Sequence, residues 1–367
     1  MGLGRVAIVS SAQTELRPSW SGAQHIDLIS AVVTDVFKGS GLSIDDVDFV
    51  IDSGSDVLDG RSISNCGFLG ALGAHHREEA RVEEDGIFAA LYGVNKIRSG
   101  ASRVGLIVAY SKPSESSVEA FWSTQVEPFY QRPVGFGQRA ALGMQAQAYM
   151  AESKVSLDSL AELSAARWKA ASATGEISIE AVPDAQEIVD GDEAAAPLTR
   201  FMMSRPVDGA VAMLITNEAI AKRHSAAPVW ITGAGSGMDR HAFATRAQAR
   251  LQSCESASAM AYRNAGWKGA EADLAEVSAP SAVAELLVLE ALGLADVGRG
   301  IDVATSGKLA VNGSGGALPA DPIMATGLFR LTAAAAQLRR SNNGSKAIAH
   351  GAGGIALQNN CVMTLEV

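Results

Sequence analysis

Residues 269–294 read GAEADLAEVSAPSAVAELLVLEALGL. An acid-rich lead, a short apolar strand signal, a Ser/Pro turn and a long apolar run at helical spacing follow in that order. The same succession stands near the start of the chain, where LSIDDVDFVIDSGSDVLD covers Leu42 to Asp59. The echo extends outward from both stretches. RVAIVSSAQT (5–14) and VWITGAGS (229–236) are strand candidates, each followed by a run at helical spacing: HIDLISAVVTDVFKGSG (25–41) and SCESASAMAYRNAGW (253–267). An internal repeat of strands alternating with helices implies an α/β chain built of two related halves, residues 1–225 and 226–367.

Further alternation fills in the first half. DGIFAALYGVNKIRSG (85–100) reads as a helix closed by Gly100, RVGLIVAYSK (103–112) as a strand, and VDGAVAMLITNEAIAK (207–222) as a strand entering a helix. The span from about 111 to 198, rich in Ala, Gln, Ser and Met, fits neither repeat. It is expected to be an inserted cap with helices of its own, supplied by LGMQAQAYMAESKVSLDSLAELSAARWKAASA (142–173).

Composition narrows the function. At 367 residues, 47% of them hydrophobic and 19% charged, the chain is long enough for two cores and lacks the charge blocks of a disordered protein. A net charge of -10 with scattered Lys and Arg argues against nucleic acid, which needs a basic footprint. Cys66, Cys254 and Cys361 lie too far apart for a disulfide framework or a zinc knuckle, so no metal is expected and a reducing cytoplasm fits. No apolar run approaches about 18 residues and no signal-like segment precedes the first strand, so no membrane association is expected.

VNGSGGALPADPIMATG (311–327) reads as a loop that approaches a ligand closely before LFRLTAAAAQLRR (328–340) begins a helix. With it, three further stretches resemble the thiolase superfamily, in the branch of sterol carrier protein x and lipid-transfer-protein-like thiolases and aldolases. PVDGAVAMLITNEAIAK (206–222) is similar to the strand that ends the family's first half. EVSAPSAVAELLVLEALGL (276–294) is similar to its His-Asp-Cys-Phe or Asn-Glu-Ala-Phe loop and helix. AIAHGAGGIALQNNCVMTLE (347–366) is similar to its closing glycine-rich hairpin. The resemblance implies a thiolase fold: two βαβαβαββ halves in layered α/β/α/β/α arrangement.

A thiolase of this kind uses a nucleophilic Cys, a His in Gly-His-Pro and a second Cys, and every such position departs here. RVEEDGIFAAL (81–91) puts Glu83 or Glu84 where the nucleophile belongs, with Asp85 completing the turn. Ala320 and Asp321 stand at Gly-His, Ser278 and Ala279 at His-Asp, and Gly354 at the second Cys, with His350 four residues earlier. A carboxylate does not replace a thiolate towards a thioester. Thiolysis through an acyl-cysteine is therefore excluded by the ordinary route.

The resemblance leaves two functions open. One is retro-aldol cleavage, or the reverse formation, of a carbon–carbon bond in an acyl-CoA thioester. Glu83, Glu84, Asp85 and Asp321 are its candidate bases, His350 an acid/base or donor, and Ser278 a donor to substrate carbonyl. The other is a non-catalytic thiolase-like subunit of a heteromeric complex, in which Glu83 and Glu84 merely favour a helix start. Asp321 before Pro322 also reads as a turn initiator, and His350 as a structural strand residue. Gly315, Gly316, Gly327, Gly353 and Gly354 resemble the loops that fold around the CoA pantetheine. No separate cofactor is expected, coenzyme A being part of the substrate. A homodimer, a heteromer with another thiolase-like subunit, or a small zinc-ribbon/OB-fold partner is implied.

Overall fold

The computed structural model describes residues 4–342 and 344–367. Its strands are β1 (Val6–Gln13), β2 (Phe49–Ser53), β3 (Glu78–Val82), β4 (Val104–Ser111), β5 (Glu193–Ala195), β6 (Leu198–Thr199), β7 (Gly209–Asn217), β8 (Val229–Met238), β9 (Leu274–Val277), β10 (Ala310–Val311), β11 (Lys346–Gly353) and β12 (Asn359–Glu366). β5 and β6 form a small separate hairpin, and the other ten make one ladder in the order β10-β9-β11-β12-β8-β1-β7-β4-β2-β3.

The order is the same motif twice. Taking each half's five main strands in chain order, both run third, second, fourth, fifth, first. The directions repeat as well: β2 is parallel to β3 and β4, as β9 is to β10 and β11, while β7 and β12 are antiparallel to their neighbours. The halves join at a short antiparallel seam, where Val6, Ala7 and Ile8 of β1 face Ile231, Trp230 and Val229 of β8.

Side-chain alternation along the strands builds the layers, because successive residues point to opposite faces. Ile51, Ile107, Met213 and Ile215 of the first half share one buried cluster with Ala349, Cys361 and Met363 of the second. Between these inner faces lie two helices, Gly86–Arg98 and Thr326–Arg339, contributing Ile87, Val94, Leu328 and Phe329. The outer face of the first half, with Val50, Leu106 and Leu214, is covered by His25–Val36. That of the second half, with Ala275, Val277, Ile348 and Val362, is covered by Gln252–Ala265 and Ala282–Ala291. The result is five layers, α/β/α/β/α. Both central helices are flanked on two sides, which is why their sequences are apolar nearly all round.

The segment between β4 and β7 carries the helices Val118–Thr124, Gln138–Ser153, Leu157–Thr174 and Ala185–Val189. It is bound to both halves. Leu16 exchanges backbone hydrogen bonds with Glu176 and Ser178. Arg167 donates from Nε (2.9 Å) and Nη2 (2.6 Å) to Glu285, whose other oxygen accepts from Asn312 Nδ2. Both partners of this ion pair are buried. Removing one partner leaves an uncompensated charge, so Arg167→Met is expected to cost about 3–5 kcal/mol in urea unfolding. Arg167→Met with Glu285→Met should regain most of it; a double variant no more stable than the single would mean the charge pair is not the cause.

Candidate active site

The two central helices start at the same place. Asp85 is the N-cap of Gly86–Arg98, its Oδ1 accepting from the Ile87 N–H at 2.9 Å. Its Oδ2 accepts from the Gly327 N–H, also at 2.9 Å, at the start of the other helix, 242 residues away in sequence. One carboxyl thus satisfies an orphan donor at each helix N-terminus, where both dipoles favour negative charge. The approach requires glycine. A Cβ on Gly327 would lie 2.2 Å from Asp85 Oδ1 and 2.8 Å from the Gly351 Cα.

Around this junction lies a cleft that brings together Glu83, Glu84, Asp85, Ser278, Asp321, Gly353 and Gly354. The inserted segment roofs it with Phe121, Trp122, Gln125 and Gln138. Phe121 packs on Leu58 and Ile323. Gln138 Oε1 accepts from the Ala356 N–H at 2.8 Å, tying the roof to the hairpin between β11 and β12 and leaving its Nε2 as a donor. No cysteine lines the cleft. Among the described residues no group of His, Cys, Asp and Glu is placed to hold a metal.

The acids have distinct environments. Glu83 is exposed at the rim, accepting from Arg81 Nε at 2.9 Å and from the Asp56 N–H at 3.1 Å. Glu84 is half-buried and accepts from Asn359 Nδ2; burial raises its pKa against that hydrogen bond. Asp321 accepts from Ser204 Oγ at 2.7 Å and Thr326 Oγ1 at 2.5 Å, and burial raises it too. Met324, between Asp321 and the helix, holds a φ of 74°, and its carbonyl accepts from the Gly86 N–H and Ser53 Oγ. A left-handed non-glycine held this way places backbone strain at the cleft wall.

Burial pushes Asp85 up to about 7, against the pull of its two N–H donors and aided by repulsion from Glu84 and Asp321. Because this lies above the ordinary 3.8, the native state holds a proton that the unfolded chain releases. The contribution to stability is full below pH 3.8 and is lost as pH rises through 7. Asp85→Asn should flatten that decline in urea melts at a series of pH values. An unchanged slope would assign it to the other acids that burial raises, Asp52, Glu84 and Asp321.

His350 lies outside the cleft. It shares a face of β11 with Ile348, towards the outer layer, whereas Gly351 and Gly353 face the central one. Its Nε2 pairs with Asn360 Oδ1 at 2.9 Å, and burial lowers its pKa to about 4, so the ring is neutral. Its carbonyl accepts from the Ser278 N–H at 3.1 Å, and in that way supports the cleft wall. Gly315 and Gly316 also lie elsewhere. A Cβ on Gly315 would meet Ala171 of the inserted segment, and one on Gly316 the Asn312 side chain. The closest approaches at Gly327 and Gly353 are to this chain's own acids, Asp85 and Glu84.

A fold of five layers from a doubled motif, with its cleft at the paired starts of the central helices, bears on the comparisons with known proteins. Residues 235–366 match the thiolase C-terminal domain-like family. Over those residues the chain is similar to that family. Solved structures with the thiolase fold superpose over nearly the whole chain. The Ltp2-ChsH2(DUF35) aldolase is 18% identical, with a TM-score of 0.83, covering 100% of this chain and 98% of that one. A human mitochondrial 3-ketoacyl-CoA thiolase is 17% identical, TM-score 0.74, covering 99% and 98%. A monomeric SCP2-thiolase like protein type 1 from Mycobacterium smegmatis is 17% identical, TM-score 0.77, covering 98% and 76%. No curated protein matches the sequence. Among the described residues no helix is long and apolar enough to cross a membrane.

Proposed function

We propose that this thiolase-like chain cleaves a carbon–carbon bond of a β-hydroxyacyl-CoA thioester by retro-aldol chemistry, without a covalent intermediate. The observation that carries this reading is the meeting of Glu84 and Asp321, one from each half, in a single cleft lined by no cysteine. Glu84 takes the β-hydroxyl proton. The Cα–Cβ bond breaks, its electron pair moves into the thioester as an enolate, and an aldehyde or ketone leaves. The enolate then takes the proton back at Cα from the acid just formed, so no external reagent is consumed.

Glu84 suits the role because it is desolvated at the cleft wall and its Oε1 is held only by a long 3.3 Å bond from the Asp85 N–H, whereas both Asp85 oxygens accept backbone N–H groups at 2.9 Å. Asp321 is a second carboxyl in the cleft, contributed by the second half and held by the Ser204 and Thr326 hydroxyls. Ser278 and the Gln138 amide are the donors to the thioester carbonyl, where negative charge develops. Similarity to the Ltp2-ChsH2(DUF35) aldolase supports the reaction class, and the two components named in it support a heteromeric assembly. A small separate partner, of the zinc-ribbon/OB-fold kind, would supply an acyl-CoA-binding module.

The test is incubation of the purified chain, alone and with the products of its neighbouring genes, with a series of β-hydroxyacyl-CoA thioesters. Released carbonyl is trapped as a hydrazone and the CoA product followed by chromatography. Turnover that persists in Cys66→Ala supports the proposal. Absence of release under every combination rejects it in favour of a non-catalytic subunit.

A further inference from the structure

The hairpin of β11 and β12 shapes the cleft in a way that neither strand shows alone. Gly353 and Asn359 are directly opposite in this antiparallel pair, so their side-chain positions share one face. The Glu84 carboxyl occupies that shared position. A Cβ on Gly353 would lie 1.7 Å from Glu84 Oε1, while Asn359 Nδ2 donates to Oε2. The Asn359 Oδ1 is buried without a hydrogen-bond partner. An amide that leaves its acceptor unpaired to keep its donor on a carboxylate is costly as structure alone.

We propose that Asn359 is the positioning residue that fixes the Glu84 carboxylate in the cleft, with Gly353 as the gap that admits it. The inference rests on reading Glu84 as the base. The charged groups near Glu84 are Asp85 beside it at the helix start, Asp321 across the cleft, and Glu83 with Arg81 at the rim. Asn359 is the group in this set that favours the ionised form of Glu84 by a side-chain hydrogen bond.

The test uses the full chain and two readouts. The Glu84 carboxyl is titrated by carbon-13 NMR in glutamate-labelled protein, its signal assigned by loss in Glu84→Gln, and kcat is followed against pH. In Asn359→Leu the Glu84 titration moves to higher pH, and kcat at neutral pH falls roughly tenfold, as for loss of one hydrogen bond to a charged group. Activity recovers at higher pH, KM changes little, and Asn359→Gln restores part of the wild-type profile. Asn359→Ala, which only removes atoms, carries the same expectation if the Leu variant does not fold. A Glu84 titration unmoved by these substitutions overturns the proposal. Full turnover in Glu84→Gln overturns Glu84 as base instead, and the NMR titration still decides the role of Asn359.

Discussion

Glu84→Gln is expected to lower kcat on a β-hydroxyacyl-CoA by about 10²–10⁴-fold, the range one positioned general base contributes. Gln is nearly the same size and still accepts the Asn359 amide through its carbonyl, so the cleft keeps its shape and KM should change little. The pH profile separates this from general damage. The wild-type profile should have an ascending limb, because Glu84 must be ionised, and burial places that limb above the ordinary glutamate range. In Glu84→Gln the residual rate should lose this limb. Asp321→Asn should cost less, since both Asp321 oxygens are already held by the Ser204 and Thr326 hydroxyls. A Glu84→Gln protein retaining more than half of kcat would remove Glu84 from the chemistry.

The largest expected effect on stability is at Gly327. In an exposed helix, Gly→Ala would stabilise by up to roughly 1 kcal/mol through helix propensity. Here the added methyl would meet Asp85 Oδ1 at 2.2 Å and the Gly351 Cα at 2.8 Å. The helix start must separate from β11, or Asp85 must leave, so overpacking is compounded by loss of two hydrogen bonds to a carboxyl. Gly327→Ala should therefore destabilise by roughly 3–5 kcal/mol in urea unfolding. Gly22→Ala, where a Cβ meets nothing within 4 Å, is the control and should stay within about 0.5 kcal/mol. A stabilised Gly327→Ala would show that helix propensity, not the junction, governs this position.

Much of the fold is legible along the chain because it is written in local periodicity. The alternating strands and helices, the doubled acid-strand-helix pattern of 42–59 and 269–294, and the inserted helices are signals spanning a few tens of residues. The site is legible only in part. Glu83, Glu84, Asp85, Ser278 and Asp321 are legible as candidates because they stand at positions where the thiolases that the sequence resembles have other chemistry, and the structure brings them to one cleft. That Asp85 bridges both helix starts is invisible, since Gly327 is 242 residues away. Gln138 and Asn359 were missed for the same reason: nothing in their neighbourhood signals that an inserted helix and a C-terminal hairpin meet over Glu84. Strand parity held a usable clue to His350. Gly351 and Gly353 share a face that His350 cannot share, although deciding which face is central needs the packing of Cys361 and Met363.

The inserted segment is anchored at Leu16 in one half and at Glu285 and Ala356 in the other, the Glu285 contact being a buried ion pair. Such a roof does not lift off as a unit, because swinging it open strips a paired charge of its partner. Over the cleft lies the short helix Val118–Thr124, whose Phe121 packs with Leu58 and Ile323 and whose Trp122 packs on a second cluster with Leu142 and Phe243. An opening over the cleft that kept this ion pair intact would have to come from movement of that short helix, not from swinging the inserted segment away.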